Sequence, residues 1–247
     1  MATVNDVYEF INKIAPFNTA EEWDNSGFLI GDGSKKVNKI ILALDITSEI
    51  VDKAIEIDAN LIVTHHPVIF KPVREIKNNS FIYKIIKHDI AVISAHTNYD
   101  KAVDGVNDIL CNALEFVDFQ KVPNSFLNVG ILNKEYTTSE FAQYLKQRLS
   151  GVVRYNNINK NIKNVAVCSG SGSDFLNDAK LLNCDALLTG DGSHHDFIDA
   201  SEMDICLFCA GHFETENLAM KPLCEKIKDY MKIECVMAEQ TTPVVTI

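Results

Sequence analysis

The sequence has no apolar run that could span a bilayer. Stretches such as Ile40–Leu44 and Leu61–Val63 fall far short of the ~20 residues a membrane helix needs. The start, Met1-Ala2-Thr3-Val4-Asn5-Asp6, lacks the basic residues and apolar core of a secretory signal. A cytoplasmic protein without a membrane partner is therefore expected. Cations are scarce as well: Lys and Arg number 23 against 34 Asp and Glu, a formal net charge of −11. The densest basic cluster, Lys221 to Lys232, alternates with acids as a solvated helix face would. A polymeric nucleic acid is thereby excluded as a partner, because a phosphate backbone is held by clustered cations. A phosphorylated small molecule is not, since a bound metal can supply the local positive charge. No low-complexity linker interrupts the 247 residues, which suffice for one large domain or two small ones.

Cysteine is not lacking, but its pattern carries no framework. The seven residues (Cys111, Cys168, Cys184, Cys206, Cys209, Cys224 and Cys235) are odd in number and lie mostly in apolar segments. They are expected to be reduced and to act as small buried hydrophobes. Cys206-x-x-Cys209 has no second Cys pair to face, so packing is preferred there to a redox or zinc role.

Apolar strand-like runs alternate with amphipathic stretches. Strands are expected at Lys39–Leu44, Asn60–Thr64, Ile90–Ala95, Leu127–Leu132, Asn164–Cys168, Ala186–Leu188, Ile205–Cys209 and Ile233–Met237. Helices are expected at Ser48–Ile57, Phe81–Lys87, Ser139–Leu149, Asp174–Leu182 and Glu216–Tyr230. This alternation predicts an α/β fold with mostly parallel sheets covered by helices. A shift of 125 positions pairs Ile40 with Val165, Ala54 with Ala179 and Thr64 with Thr189. A shift of 116 pairs His96 with His212 and Asp100 with Glu216. Two related lobes, residues 1–122 and 123–247, are expected, with a site between them; that all strand–turn–helix units look alike is the plainer alternative.

Histidines and carboxylates gather where strands end, the place at which open α/β sheets bind ligands. Val63-Thr64-His65-His66-Pro67 closes one strand, and Pro67 restricts His66 to extended backbone. Adjacent side chains point to opposite faces of a strand, so the two rings can share a site only where the chain turns. His96 and Asp100 follow the next strand: His96 could ligate or orient a ligand, and Asp100 could ligate or cap a helix. His212 and Glu216, four apart after Gly211, fall on one helix face. In Thr189-Gly190-Asp191-Gly192-Ser193-His194-His195, Asp191 and His195 can face the same crevice, with His195 a candidate for proton transfer; an exposed loop histidine is the plain alternative. Trp23-Asp24-Asn25-Ser26-Gly27 is turn chemistry. Trp23, the single Trp, is expected in the core, with a wall for a planar heterocycle as the sharper possibility.

In the same order, Trp-Asp-Asn-x-Gly, Thr-His-His-Pro, His-x-x-x-Asp, Thr-Gly-Asp with a following His, and Gly-His-x-x-Thr-Glu resemble the motifs of the NIF-three-like family. That family is often labelled GTP cyclohydrolase 1 type 2, and the resemblance covers essentially the whole chain in its short form, without an inserted domain. It implies a two-lobed α/β subunit, a dinuclear metal centre and a toroidal homohexamer. By motif, the metal ligands would be His65, His66, Asp100, His212 and Glu216, while His96 and His195 would line the site as catalytic candidates. Trp23, Asp24 and Asp191 would then be substrate-side residues. One departure is local: relatives carry an aromatic just before the position of His195, where this chain has Gly192-Ser193-His194.

Two functions are consistent with these residues. The first is a hydrolase with two divalent ions per subunit, acting on a nucleotide or similar heterocycle; in its GTP cyclohydrolase form, hydroxide supplied at the metals attacks C8 of guanine. Mixed imidazole and carboxylate donors suit zinc, iron or manganese. The alternative is a non-catalytic ring protein that binds or delivers metal.

Overall fold

The first helix, α1 (Val4–Ile14), begins at a capping box in which Thr3 Oγ1 accepts from the Asp6 N–H and the Asp6 carboxylate accepts from the Thr3 N–H. Next come β1 (Gly27–Ile30), β2 (Lys39–Ala43), α2 (Ser48–Glu56), β3 (Leu61–Thr64), α3 (Phe81–Lys87), β4 (Ala91–Ser94) and α4 (Thr97–Lys101). Helices α2 and α3 start where the Thr47 and Ser80 hydroxyls accept the N–H of Ile50 and Tyr83. The chain continues through α5 (Val106–Ala113), β5 (Asp118–Lys121), β6 (Asn128–Thr137), α6 (Thr138–Leu149), β7 (Arg154–Tyr155), β8 (Asn161–Val167) and α7 (Leu176–Leu181). It ends with β9 (Ala186–Thr189), α8 (His194–Glu202), β10 (Cys206–Cys209), α9 (His212–Glu216), α10 (Met220–Met231) and β11 (Glu234–Met237). The structure, a computed structural model, describes residues 2–245. None of the described helices is long and apolar enough to cross a membrane.

Two compact units result. The first takes the chain as far as Val103 and again from Ala219 to Gln240; the second takes Asp104–Leu218 and the described residues after Gln240. The single boundary expected between 122 and 123 therefore gives way to crossings at 103/104, 218/219 and 240/241. The cause is β11, which pairs in parallel with β2 from Glu234↔Lys39 to Met237↔Leu42 and so completes the first sheet.

The first sheet has the order β1-β4-β3-β2-β11, parallel except for β1 on β4. Its central strand β3 is buried at every position, as a strand covered on both faces must be. Ile41, Ala43, Ile62 and Val92 pack on one face against Ile50, Val51 and Ala54 of α2 and Ile85 of α3. Helix α10 packs on β2 and against α1. The second sheet has the order β5-β6-β8-β9-β10-β7. Here parallel pairing is confined to β8–β9–β10, and its flanking pairs are antiparallel. Val165, Val167, Leu188, Cys206 and Phe208 meet Leu110 of α5 and Phe141 and Leu145 of α6. The intervening residues Ala166, Leu187, Leu207 and Cys209 meet Leu176 and Ala179 of α7 and Ala200 of α8. Cys206 and Cys209 thus serve opposite faces of one strand, as packing rather than as a pair.

The repeat is a repeat of register. Ile40↔Leu61, Ile41↔Ile62 and Leu42↔Val63 in the first sheet correspond, position for position, to Val165↔Ala186, Ala166↔Leu187 and Val167↔Leu188 in the second. The series β1-β4-β3-β2 and β7-β10-β9-β8 then match, each with an antiparallel outer strand. The Ala95 and Ala210 N–H groups donate to Thr64 and Thr189 carbonyls, respectively. One additional residue, Gly211 at φ 95°, then separates Ala210 from His212.

Candidate metal centre

In the first unit, β3 and β4 end side by side. The Thr64 and Ser94 hydroxyls hydrogen-bond at 2.8 Å, and Thr64 Oγ1 donates to the His66 carbonyl at 2.9 Å, which fixes the turn bearing both histidines. His65 Nδ1 lies 2.8 Å from the Ala95 carbonyl. A carbonyl only accepts, so the proton sits on Nδ1 and the Nε2 lone pair faces away from it. The same arrangement holds for His66, whose Nδ1 meets Asp45 Oδ1 at 2.7 Å, and for His96, whose Nδ1 meets Asp24 Oδ1 at 2.8 Å. One ring nitrogen from each of these three histidines lies within 4.8 Å of the others. One helical turn past His96, the Asp100 N–H donates to the His96 carbonyl, and Asp100 Oδ1 stands 3.5 Å from His65 Nε2. Asp100 is thus inside α4 and not at a cap.

Asp24 is a buried anchor. Its side chain is 0% exposed and accepts from His96, from the Ser26 hydroxyl at 2.6 Å and from the Thr97 hydroxyl at 2.6 Å. Burial alone would raise its pKa; the hydrogen bonds from His96, Ser26 and Thr97 outweigh it and hold the carboxyl well below the usual range. The reading of Asp24 as a substrate contact gives way accordingly, because its oxygens are engaged in the protein. The core placement of Trp23 is also corrected. Asp24 takes the inward direction at this turn, and Trp23 is left 60% exposed, edge-on to His96 with ring centroids 6.2 Å apart.

In the second unit, Thr189 Oγ1 donates to the Gly170 carbonyl at 3.0 Å and accepts from the Gly172 N–H at 2.8 Å. Gly170 has φ 60°, and a Cβ there would overlap Glu216 Oε1, so the close approach of backbone to carboxylate requires glycine. Gly211 starts α9, which sets His212 Nε2 3.1 Å from Glu216 Oε2. His212 Nδ1 in turn meets Asp191 Oδ2 at 2.7 Å, so Asp191 orients a ring here. The register explains the unequal histidine content: Gly190-Asp191 occupies the place that His65-His66 holds in the first unit. His195 is exposed in the first turn of α8 and belongs to none of the potential metal-holding groups among the described residues.

The donor set fits divalent metal. His65, His66, His96 and His212 each have Nδ1 engaged by an oxygen acceptor, the support that metal-ligating histidines carry. Each unit also sets an imidazole nitrogen against a carboxylate oxygen, at 3.5 Å for His65–Asp100 and 3.1 Å for His212–Glu216. Two donors at ~2.0–2.1 Å from one tetrahedral ion stand ~3.3 Å apart. Asp45 is the supporting residue that the motifs miss. Its signal is a carboxylate two residues past the end of β2, but its partner His66 lies 21 positions away.

The model of the Duf34/NIF3 family (NGG1p interacting factor 3) matches residues 2–243. The chain belongs to this family. A Clostridium perfringens relative named GTP cyclohydrolase 1 type 2 homolog is 39% identical over 240 residues, 92% of this chain and 91% of its own. A Helicobacter pylori relative named GTP cyclohydrolase 1 type 2 is 36% identical, covering 88% of each chain. Among solved structures, a Staphylococcus aureus hypothetical protein superposes with a TM-score of 0.92 at 28% identity, covering 99% of both chains. The two-sheet α/β architecture is shared with that solved structure.

Proposed function

We propose that this Duf34/NIF3 protein is a dinuclear-metal-dependent hydrolase of the GTP cyclohydrolase kind, acting on a nucleotide or a similar heterocycle. In this reading His65, His66 and Asp100 in one unit and His212 and Glu216 in the other are the metal ligands, two ions per subunit. The carrying observation is the set of four histidines with Nδ1 engaged by oxygen, together with a His–carboxylate pair in each unit at coordinating separation. A divalent ion held there would bring the pKa of its water towards neutrality and polarise a substrate oxygen. The chain's own residues do the rest. Ala95, Asp45 and Asp191 hold the ligand rings in one tautomer, and Asp24 holds His96 with a ring nitrogen available to substrate. His195 is assigned proton transfer.

The decisive assay is formate release from GTP by metal-loaded protein and its loss on chelation. Absence of turnover with metals bound would remove the cyclohydrolase version and leave the metal-binding or metal-delivery reading. The hydrolase reading is favoured by the exposed Trp23 ring beside His96, a surface that metal storage does not need. We extend the proposal to the homohexameric ring that the family resemblance implies. A solution mass of six times 27.6 kDa by light scattering is the expected result, and a monomer would refute it.

A further inference from the structure

Next to His96 stands a group of exposed side chains that the metal site does not use. Trp23 is 60% exposed and Phe70 48%, although large aromatic rings normally bury most of their surface. Their centroids lie 6.1 Å apart at 68°, and they lie 6.2 and 6.3 Å from the His96 ring. This corner is built. The Asn25 amide donates to the Ile69 carbonyl at 2.5 Å, which ties the turn bearing Trp23 to the segment entering Phe70. Between Trp23 and Asn25, Asp24 fastens the same turn to His96 and Thr97. Past Phe70 the chain stays exposed through Lys71 and Arg74, and Lys77 pairs with Glu75 at 2.9 Å. This is a local concentration of cations on a chain of net charge −11.

We propose that Trp23, Phe70, Lys71 and Arg74 form the recognition element for a phosphorylated planar heterocycle. The inference rests on the proposed hydrolase reading, whose substrate class it specifies. Aromatic rings offer flat faces on which a base of any identity stacks. Guanidinium and ammonium groups bind phosphate oxygens through charge-assisted hydrogen bonds. On an acidic protein such a pair also offsets the general repulsion of an anion. Stacking on this corner places the ring of the ligand against His96, and so beside the histidine cluster. A neutral heterocycle would need the aromatics alone, and a free phosphate the cations alone; the close succession of Phe70, Lys71 and Arg74 in the chain favours the ligand that carries both.

Trp23 is the single tryptophan, so intrinsic fluorescence reads this corner without a label. Full-length protein is titrated with GTP, with guanosine and with inorganic triphosphate, and metal content is measured on the same samples. GTP is expected to change the Trp23 emission saturably, guanosine to do so with weaker affinity, and triphosphate to compete with GTP without the change. Phe70→Ala should weaken GTP binding about 10-fold or more, the range of a lost base–aromatic stack. The double variant Lys71→Gln/Arg74→Gln should weaken GTP but leave guanosine unchanged. No saturable change, or equal GTP affinity in wild type and both variants, overturns the proposal. So does an emission change that follows protein concentration instead of nucleotide, which would make the corner a contact between copies of this chain. Nucleotide binding with no bound metal would defeat the hydrolase reading and leave the recognition element standing. Bound metal with no nucleotide response would do the reverse.

Discussion

Replacing Gly170 with alanine should remove metal while sparing the fold, because one added methyl group reaches the carboxylate of Glu216. The new Cβ would overlap Glu216 Oε1 and come within 3.3 Å of His212 Nε2. Glu216 is 3% exposed and has little room to retreat, so restoring van der Waals spacing moves its carboxylate by about 1 Å. A disturbance of that kind around a metal ligand typically lowers metal affinity about 10- to 100-fold. Alanine at the φ of 60° also costs about 1–2 kcal/mol of backbone energy. For a chain of this size that corresponds to a fall in Tm of about 2–8 °C. Gly27→Ala is the control: its φ is 137°, yet its Cβ would meet no atom within 4 Å. Elemental analysis after dialysis against limiting chelator, with melting curves on the same preparations, separates strain from ligand displacement. Gly27→Ala should melt earlier and keep its metal, whereas Gly170→Ala should melt earlier and lose it. Full metal retention by Gly170→Ala would refute the placement of Glu216 in the centre.

Three further outcomes are expected. His65→Ala and Glu216→Ala should each lower metal content sharply with unchanged circular dichroism, since both residues lie beyond strand ends and outside the packed clusters; unfolding without denaturant would make them structural instead. His195→Ala should keep both metals and lose about 10² to 10⁴ in turnover if it transfers protons. Loss of metal with activity would make it a ligand, and no change in either would retire it. Burial pushes the Cys111 and Cys209 thiols up to about 12 and Cys184 up to about 11, from 9.0. Because the folded values are raised, their contribution to stability is complete below about pH 9 and is lost as pH climbs towards 12, where the unfolded chain has already released its protons. Urea midpoints should therefore fall above pH 9, and an equally steep fall in Cys111→Ala would assign the effect elsewhere.

The buried strands were legible because each is a short apolar run that ends in polar residues. For the same reason the histidines after β3 and β4 could be read as sharing one end of a sheet, and His212 as standing past the end of β10 in the other sheet. What escaped is physically different. Arg154–Tyr155 is exposed at both positions and two residues long, so no alternation marks it as an edge strand. Gly27–Ile30 follows the Trp23 turn so closely that its residues read as turn. Helix α1 carries Val4, Val7, Phe10 and Ile11 behind a capping box, a usable signal, and yet stands outside the expected elements. Helices α4 and α9 have only five residues each, too few to show a period. Asp45 and the pairing of β11 with β2 are products of tertiary structure: the first meets its partner across 21 positions and the second across nearly the whole chain.

That last pairing has a consequence for how the protein is made. The ribosome delivers β2 before most of the other strands, but the strand that covers its outer edge, β11, follows all of β1 to β10. Until β11 is made, Lys39–Ala43 offers an unpaired edge with Ile40, Ile41 and Leu42 in its middle, the kind of edge that recruits foreign strands. The second unit, by contrast, has all six of its strands in hand once Cys209 is made. Order of emergence is therefore the reverse of order of completion: the unit begun first closes last. A nascent chain stalled between Cys209 and Glu234 would carry a finished second sheet and an adhesive first one, which makes that interval the window in which a chaperone has most to protect.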